Sequence, residues 1–425
     1  MWRPNSRVVL LALILAFLVG TGVAATEKVL YSFTGSDGSV PWGSLIFDKA
    51  GNLYGTTYQG GAYGYGTVFE LIPLGDGVWT ETVLHSFNSN GHDGAGPDAA
   101  LVFDKHGNLY GTTYYGGAGA CTSGQYPGCG TVFRLRPNLK GSWTEEVIHA
   151  FRAGIDGAFP ASALVLDSAG ILYGTTASGG TGACTTGGYV GCGTVFVLIP
   201  VKNGRWGSIA YSFNGSSDGE FPNGPVLLDA ANNVYGTAEE GGASCPAGVS
   251  CGVVFKLSRS HGKVVNTILH DFVGGNDGQW PTGALIFDAQ GNLYGTTIEG
   301  GGNDLNCLYG CGTVFELSPS STGWSERVLY SFAGGSDGIF PFGGVIEDSV
   351  GNLYGTTELG GVGGGWGTVF ELDSKGNETV LYSFTGGSDG GDPYVGLTSD
   401  ASGNLYGVTA VGGTHDDGVV FEITP

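Results

Sequence analysis

Gly291-Asn292-Leu293-Tyr294-Gly295-Thr296-Thr297, with Gly312-Thr313-Val314-Phe315-Glu316-Leu317 downstream, returns in altered form seven times along the chain. The central tyrosines are Tyr54, Tyr110, Tyr173, Tyr235, Tyr294, Tyr354 and Tyr406, spaced 52 to 63 residues apart. That period holds four short strands and their turns, which is one blade of a β-propeller. Such a blade cannot bury both faces alone and must stack on its neighbours.

Working outward from Tyr294, four strand-like runs stand in the unit: A, Ala284 to Asp288; B, Asn292 to Thr297; C, Gly312 to Leu317; and D, Val328 to Phe332. Each is rich in β-branched and aromatic residues, and Gly and Asn punctuate the gaps where turns need positive φ. No sustained helical period appears, so the class is all-β. The phase of the units says more. The chain opens on a D-type strand, Val29 to Phe33, and closes on a C-type strand, Gly418 to Ile423. If the first strand completes the last unit, seven four-stranded blades close into a ring with no free sheet edge. A linear solenoid would gain nothing from that offset. The expectation is a seven-bladed propeller over 26–425, closed by its N-terminal strand.

Residues 1–25 read as a cleaved secretory signal: Arg3 and Arg7, the apolar run Val8 to Val19, and a small-residue end. The apolar run is too short to span a bilayer, which takes about 20 residues. No second apolar segment follows within the sequence, and no C-terminal anchor after Ile423 is expected. A soluble, monomeric, secreted or periplasmic protein is expected. The cysteines agree, falling as Cys121 with Cys129, Cys184 with Cys192, Cys245 with Cys251, and Cys307 with Cys311, each pair inside one B-to-C connection. Local disulfides in an oxidising compartment are the direct reading, and thiolate-bound metal is the rival. With 16 basic against 38 acidic residues, the net charge of -22 excludes nucleic acid as a partner.

In a propeller of this strand order the D-to-A and B-to-C connections share one face, around the mouth of the central channel. The D-to-A turn carries Asp-Gly in every unit, including Asp37, Asp277, Asp337 and Asp389. Such an Asp caps a turn. A ring of such carboxylates would also suit calcium, the one cofactor this sequence brings into question. Aromatics crowd the same loops: Phe159, Phe221, Trp280 and Phe340 precede Pro, Trp42 and Tyr394 follow it, and Tyr63, Tyr65, Tyr115 and Trp366 stand in B-to-C connections. Flat rings beside carboxylates grip sugars or partner side chains. Packing between loops is the alternative.

Catalytic signals are weak. Gly334 to Gly338 and Gly386 to Gly390 match Gly-x-Ser-x-Gly, but they are turns after strand D, with no strand-to-helix elbow. His85, His149 and His270 occupy a D-strand position that holds Tyr elsewhere, which suggests packing. Glu239 with Glu240, and His415 with Asp416 and Asp417, are the unrepeated clusters that could hold a metal or move a proton.

Leu-Tyr-Gly-Thr-Thr, Gly-Thr-Val-Phe-Glu-Leu and Leu-Tyr-Ser-Phe together resemble the Gloeobacter/Verrucomicrobia tandem-repeat family over nearly the whole chain. The resemblance implies an exported bacterial protein and no activity that can be placed on residues. A non-enzymatic binding or scaffold propeller is expected, taking a glycan or an extracellular protein on its loop face. The alternative is a secreted polysaccharide hydrolase or lyase using the acidic loop residues.

Overall fold

A computed structural model describes residues 25–122, 125–138, 141–185, 190–245, 250–302 and 307–425. The segment read as a signal lies, but for Ala25, outside the described residues. Seven four-stranded antiparallel sheets form the blades of a propeller, each in the order A-B-C-D. Blade 1 runs Ile46–Phe47, Leu53–Thr57, Thr67–Gly75 and Val78–Ser86. In blade 7 the outer strand is Thr26–Ser32, from the other end of the chain, paired with Val419–Thr424 from Thr26↔Thr424 to Ser32↔Val419. The ring closes as the strand phase requires. Among the described residues no helix is long and apolar enough to cross a membrane.

Two repeated devices hold the blades. The Phe ending each D strand packs edge-on against the C-strand Phe of the next blade. Phe33–Phe69, Phe87–Phe133, Phe151–Phe196, Phe213–Phe255, Phe272–Phe315, Phe332–Phe370 and Phe384–Phe421 have centroids 5.0 to 5.3 Å apart. All these rings are fully buried. Within a blade, the Gly of Leu-Tyr-Gly-Thr-Thr gives that C-strand ring its space: a Cβ on Gly55 would sit 2.5 Å from Phe69 Cζ. The repeat string is therefore a packing motif, with Phe, Gly and buried Thr pairs such as Thr57–Thr67 filling the same roles in successive copies.

Strand bounds differ from the sequence reading at the inner and outer edges. Strand A shrinks to two residues, Ile286–Phe287 in blade 5, because the Pro turn pulls the chain off the ladder near the crowded axis. Strand D lengthens to Gly323–Ser331. Its burial alternates, so its exposed half carries polar residues and no apolar signal marks its start.

The four expected disulfides are present, Cys121–Cys129, Cys184–Cys192, Cys245–Cys251 and Cys307–Cys311, and no free cysteine remains among the described residues. They are the chemistry of an oxidising, non-cytoplasmic compartment.

Candidate functional site

The D-to-A and B-to-C connections do share a face, bridged backbone to backbone in every blade, as at Ser39↔Gln59 and Gly391↔Val411. Where they meet the channel, a third repeated device appears. The residue before each loop Pro, namely Val40, Gly96, Phe159, Phe221, Trp280, Phe340 and Asp392, is held at φ of 52 to 62°. For a β-branched or bulky residue that region is an outlier costing on the order of 1–3 kcal/mol. Two hydrogen bonds hold it there. Its N–H donates to the last carbonyl of the previous blade's B-to-C loop, as Phe159 to Cys129 at 2.8 Å and Val40 to Asp417 at 3.0 Å. Its carbonyl accepts from the residue just after its own strand B, as Tyr58 to Val40 at 2.9 Å and Glu239 to Phe221 at 3.0 Å. In four blades the clamping carbonyl belongs to the second cysteine of the disulfide: Cys129, Cys192, Cys251 and Cys311. The disulfides thus brace the loops that fix the channel rim.

That clamp delivers the residue after each Pro to one place. Trp42, Asp98, Ala161, Asn223, Thr282, Phe342 and Tyr394, one from each blade, line a cavity of about 330 Å³ at the channel mouth, with Tyr114 and Glu239 from the ends of B strands. Blades 6, 7 and 1 supply a continuous aromatic arc. Phe342 stacks on Tyr394 at 4.2 Å, Tyr394 on Trp42 at 5.7 Å, and Trp42 lies 4.6 Å from Tyr58. Carboxyl and amide groups come from blade 2 with Asp98 and from blade 4 with Asn223 and Glu239. Asn223 donates to Glu239 through its side-chain amide.

Burial raises the Tyr394 phenol, and the charges of Glu358, Glu239 and Asp98 raise it further. Burial pushes Asp98 up to about 8. Glu358 rises to about 7, through burial first and then the charge of Asp392. Glu239 is raised by burial and by Glu240, against the Asn223 hydrogen bond. No Lys or Arg stands in the lining to neutralise them. Three buried polar atoms here find no hydrogen-bond partner among the described residues: Trp42 Nε1, Asp98 Oδ1 and Thr282 Oγ1.

The aromatic candidates separate sharply in space. Of the eight weighed for ligand binding, Trp42 alone lines this cavity. Phe159 and Tyr115 are buried in a cluster with Tyr114, and Tyr65 packs on Tyr126 at 4.9 Å. Trp280 donates its indole N–H to the Ser250 carbonyl at 2.8 Å, and Phe221 sits in the clamp. Trp366 lies over Gly386, whose added Cβ would meet its indole, and Tyr63 stands exposed on its loop. Sequence reasoning passed over Asp98, Thr282, Phe342 and Glu358. Reading the post-proline column across the seven units would have found the first three, because it varies while its flanks repeat.

The four aspartates weighed for calcium do not converge on one site. Each accepts a hydrogen bond from its own loop backbone and one from its blade's D strand. Ala333 N and Tyr330 Oη donate to Asp337 at 2.7 and 3.0 Å, and Thr385 N and Tyr382 Oη donate to Asp389 at 2.9 and 3.1 Å. Asp37 is held likewise by Thr34 and Tyr31, and Asp277 by Val273 and His270. Against each lies a carboxylate from the next D strand, which burial and the Asp charge raise to about 7 at Glu81, Glu326, Glu378 and Glu27. Asp277 with His270 and Glu326, and the equivalent His85, Asp93 and Glu145, are the junctions whose nitrogen and oxygen atoms gather within 4.8 Å. Of the two acidic clusters, Glu239 enters the channel, whereas His415 and Asp416 stay on an exposed loop where Asp416 caps Gly412 N.

No curated protein matches the chain in sequence. Among solved structures, it is similar to a provisionally assigned 6-phosphogluconolactonase from Bacteroides uniformis, with a TM-score of 0.49, 12% identity, and 79% of this chain and 83% of that one covered. It is also similar to a provisionally assigned glucose dehydrogenase from Thermus thermophilus, with a TM-score of 0.44, 14% identity, and 94% of this chain and 100% of that one covered. The Gloeobacter/Verrucomicrobia repeat matches residues 18–186, 182–310 and 251–425, so with seven blades built on that repeat the chain belongs to this family.

Proposed function

We propose that the protein is a secreted, monomeric binding propeller that holds a sugar ring of an extracellular glycan at the channel mouth without acting on it. The observation that carries this reading is the set of unpartnered polar atoms, Trp42 Nε1, Asp98 Oδ1 and Thr282 Oγ1, beside stacked rings in one cavity. Buried polar groups are normally paired, so this set calls for a ligand or ordered water with both donors and acceptors. A sugar presents hydroxyls of both kinds on a ring whose apolar face suits an aromatic wall. The cavity, about 330 Å³, fits the end of a glycan better than an extended protein surface. A glycan array with and without calcium names the ligand class. Trp42→Ala should then weaken binding by at least about 1–2 kcal/mol, while Tyr63→Ala on the outer loop changes nothing. If Trp42→Ala binds like the unaltered protein in calorimetry, the channel mouth is not the site.

The hydrolase or lyase reading keeps one support: Asp98 and Glu239 are raised carboxylates in the same cavity, as acid–base chemistry needs. Product analysis after prolonged incubation with each bound glycan decides it. Cleavage abolished by Asp98→Asn would replace binding with catalysis.

A further inference from the structure

Resting on the glycan reading, we propose that the sugar held at the channel mouth is an amino sugar, bound through its free ammonium group. The wall combines two chemistries. Trp42, Tyr394 and Phe342, from blades 1, 7 and 6, stand stacked in series. Asp98, from blade 2 beside Trp42, and Glu239, from blade 4 across the channel, add two carboxyl groups to the same lining. No basic side chain lines the cavity, so the acids lack a cation of the protein's own. Burial holds Asp98 up to about 8, so with a neutral sugar it keeps its proton, whereas an ammonium beside it draws the carboxyl into its charged, paired form.

The unpartnered atoms set the rest of the requirement. Asp98 Oδ1 accepts and needs a donor, while Trp42 Nε1 donates and needs an acceptor. A bare ammonium has no acceptor to offer, and a plain hexose has no charge. An amino sugar supplies an ammonium for Asp98 and Glu239 and ring or hydroxyl oxygens for Trp42 and Thr282. Its cationic edge is also attracted to faces of Trp and Tyr. The chain's net charge of -22 draws such a cation in from solution.

Calorimetry of the full chain at neutral pH with three β-1,4-linked trimers tests this. They share one backbone and carry at C2 an amine, an acetylated amine or a hydroxyl. The amine trimer should bind at least about tenfold more tightly than either other, a gap that rising salt narrows. Asp98→Asn with Glu239→Gln should erase the preference while leaving the thermal melt in place, because the amides keep the shape of the uncharged acids and cannot pair with an ammonium. If the acetylated or hydroxyl trimer binds as tightly as the amine trimer, the ammonium is not recognised and the glycan reading stands alone. If trilysine binds as tightly as the amine trimer, the site reads a bare ammonium and the amino sugar assignment falls. If no trimer binds, this inference and the glycan reading fall together.

Discussion

Replacing Phe33 by Ala tests ring closure more sharply than any change elsewhere in the chain. Phe33 lies beside the first strand, where a linear stack would fray. In the closed ring it is equivalent to Phe213 of blade 3. Both rings are fully buried, and each packs edge-on against a C-strand Phe of the next blade, Phe69 or Phe255, with centroids 5.1 Å apart. Truncation of a buried Phe costs about 3–5 kcal/mol. The edge-to-face pair accounts for roughly 0.5–1.5 of that. At a frayed terminus the same change would fall within about 0.5 kcal/mol of zero. Urea unfolding followed by tryptophan fluorescence should therefore show Phe33→Ala and Phe213→Ala losing similar stability. A loss at Phe33 below about a third of that at Phe213 would refute closure by this strand. Deleting Val29 to Phe33 adds a second readout, since the Val419–Thr424 strand then becomes a free edge open to pairing with other chains. A deletion variant that stays monomeric with an unchanged melt contradicts the same reasoning.

The disulfides should matter locally. Mapping of the unreduced protein should recover the four links, and Cys184→Ser with Cys192→Ser should cost about 2–2.5 kcal/mol on the chain-entropy estimate, so an unchanged urea midpoint counts against the bracing role. The interblade acids should make stability fall as pH rises. Glu27, Glu81, Glu145, Glu326 and Glu378 are raised from 4.5 to about 7, by burial first and by the charge of the neighbouring turn Asp second. The folded state therefore holds protons that the unfolded chain releases, and their stabilisation is full below pH 4.5 and lost through pH 7. These groups are partly open to solvent, so screening leaves each on the order of 1 kcal/mol or less. A melting temperature that climbs across that window, or a slope untouched by Glu81→Gln, would contradict the assignment.

The fold was legible because its signals are repeated and local. Gly55 must lack a Cβ for Phe69 to pack, and the same demand recurs in the equivalent pairs of the other six blades, so the string returns wherever the geometry does. Strand phase then gave closure, since only a ring has a use for a D strand at the start and a C strand at the end. The disulfides were legible for the same reason, each lying within one loop. The site was not, because side chains drawn from every blade meet there once. Aromatics before and after Pro look alike in sequence, yet left-handed φ at Phe159 and Phe340 fixes the first kind in the clamp and leaves the second kind, Trp42 and Phe342, to line the channel.

This division follows from rotational symmetry. A residue on a blade's flank faces one neighbour, and a change there must suit the interblade packing, so flank positions are held to one pattern. At the axis all seven blades converge, and a position beside the channel faces water and six counterparts. A change there leaves the clamp intact, because its strain is carried by backbone bonds to Tyr65, Trp366, Asp417 and the four cysteines, whichever side chain follows the Pro. The interblade contacts it alters are those of the channel wall itself, as in the Phe342–Tyr394–Trp42 stack. The post-proline column is thus free to become Trp, Asp, Ala, Asn, Thr, Phe and Tyr in turn. Seven unlike residues on a sevenfold frame make an asymmetric cavity, and asymmetry is what a sugar with distinct faces and one charged edge requires.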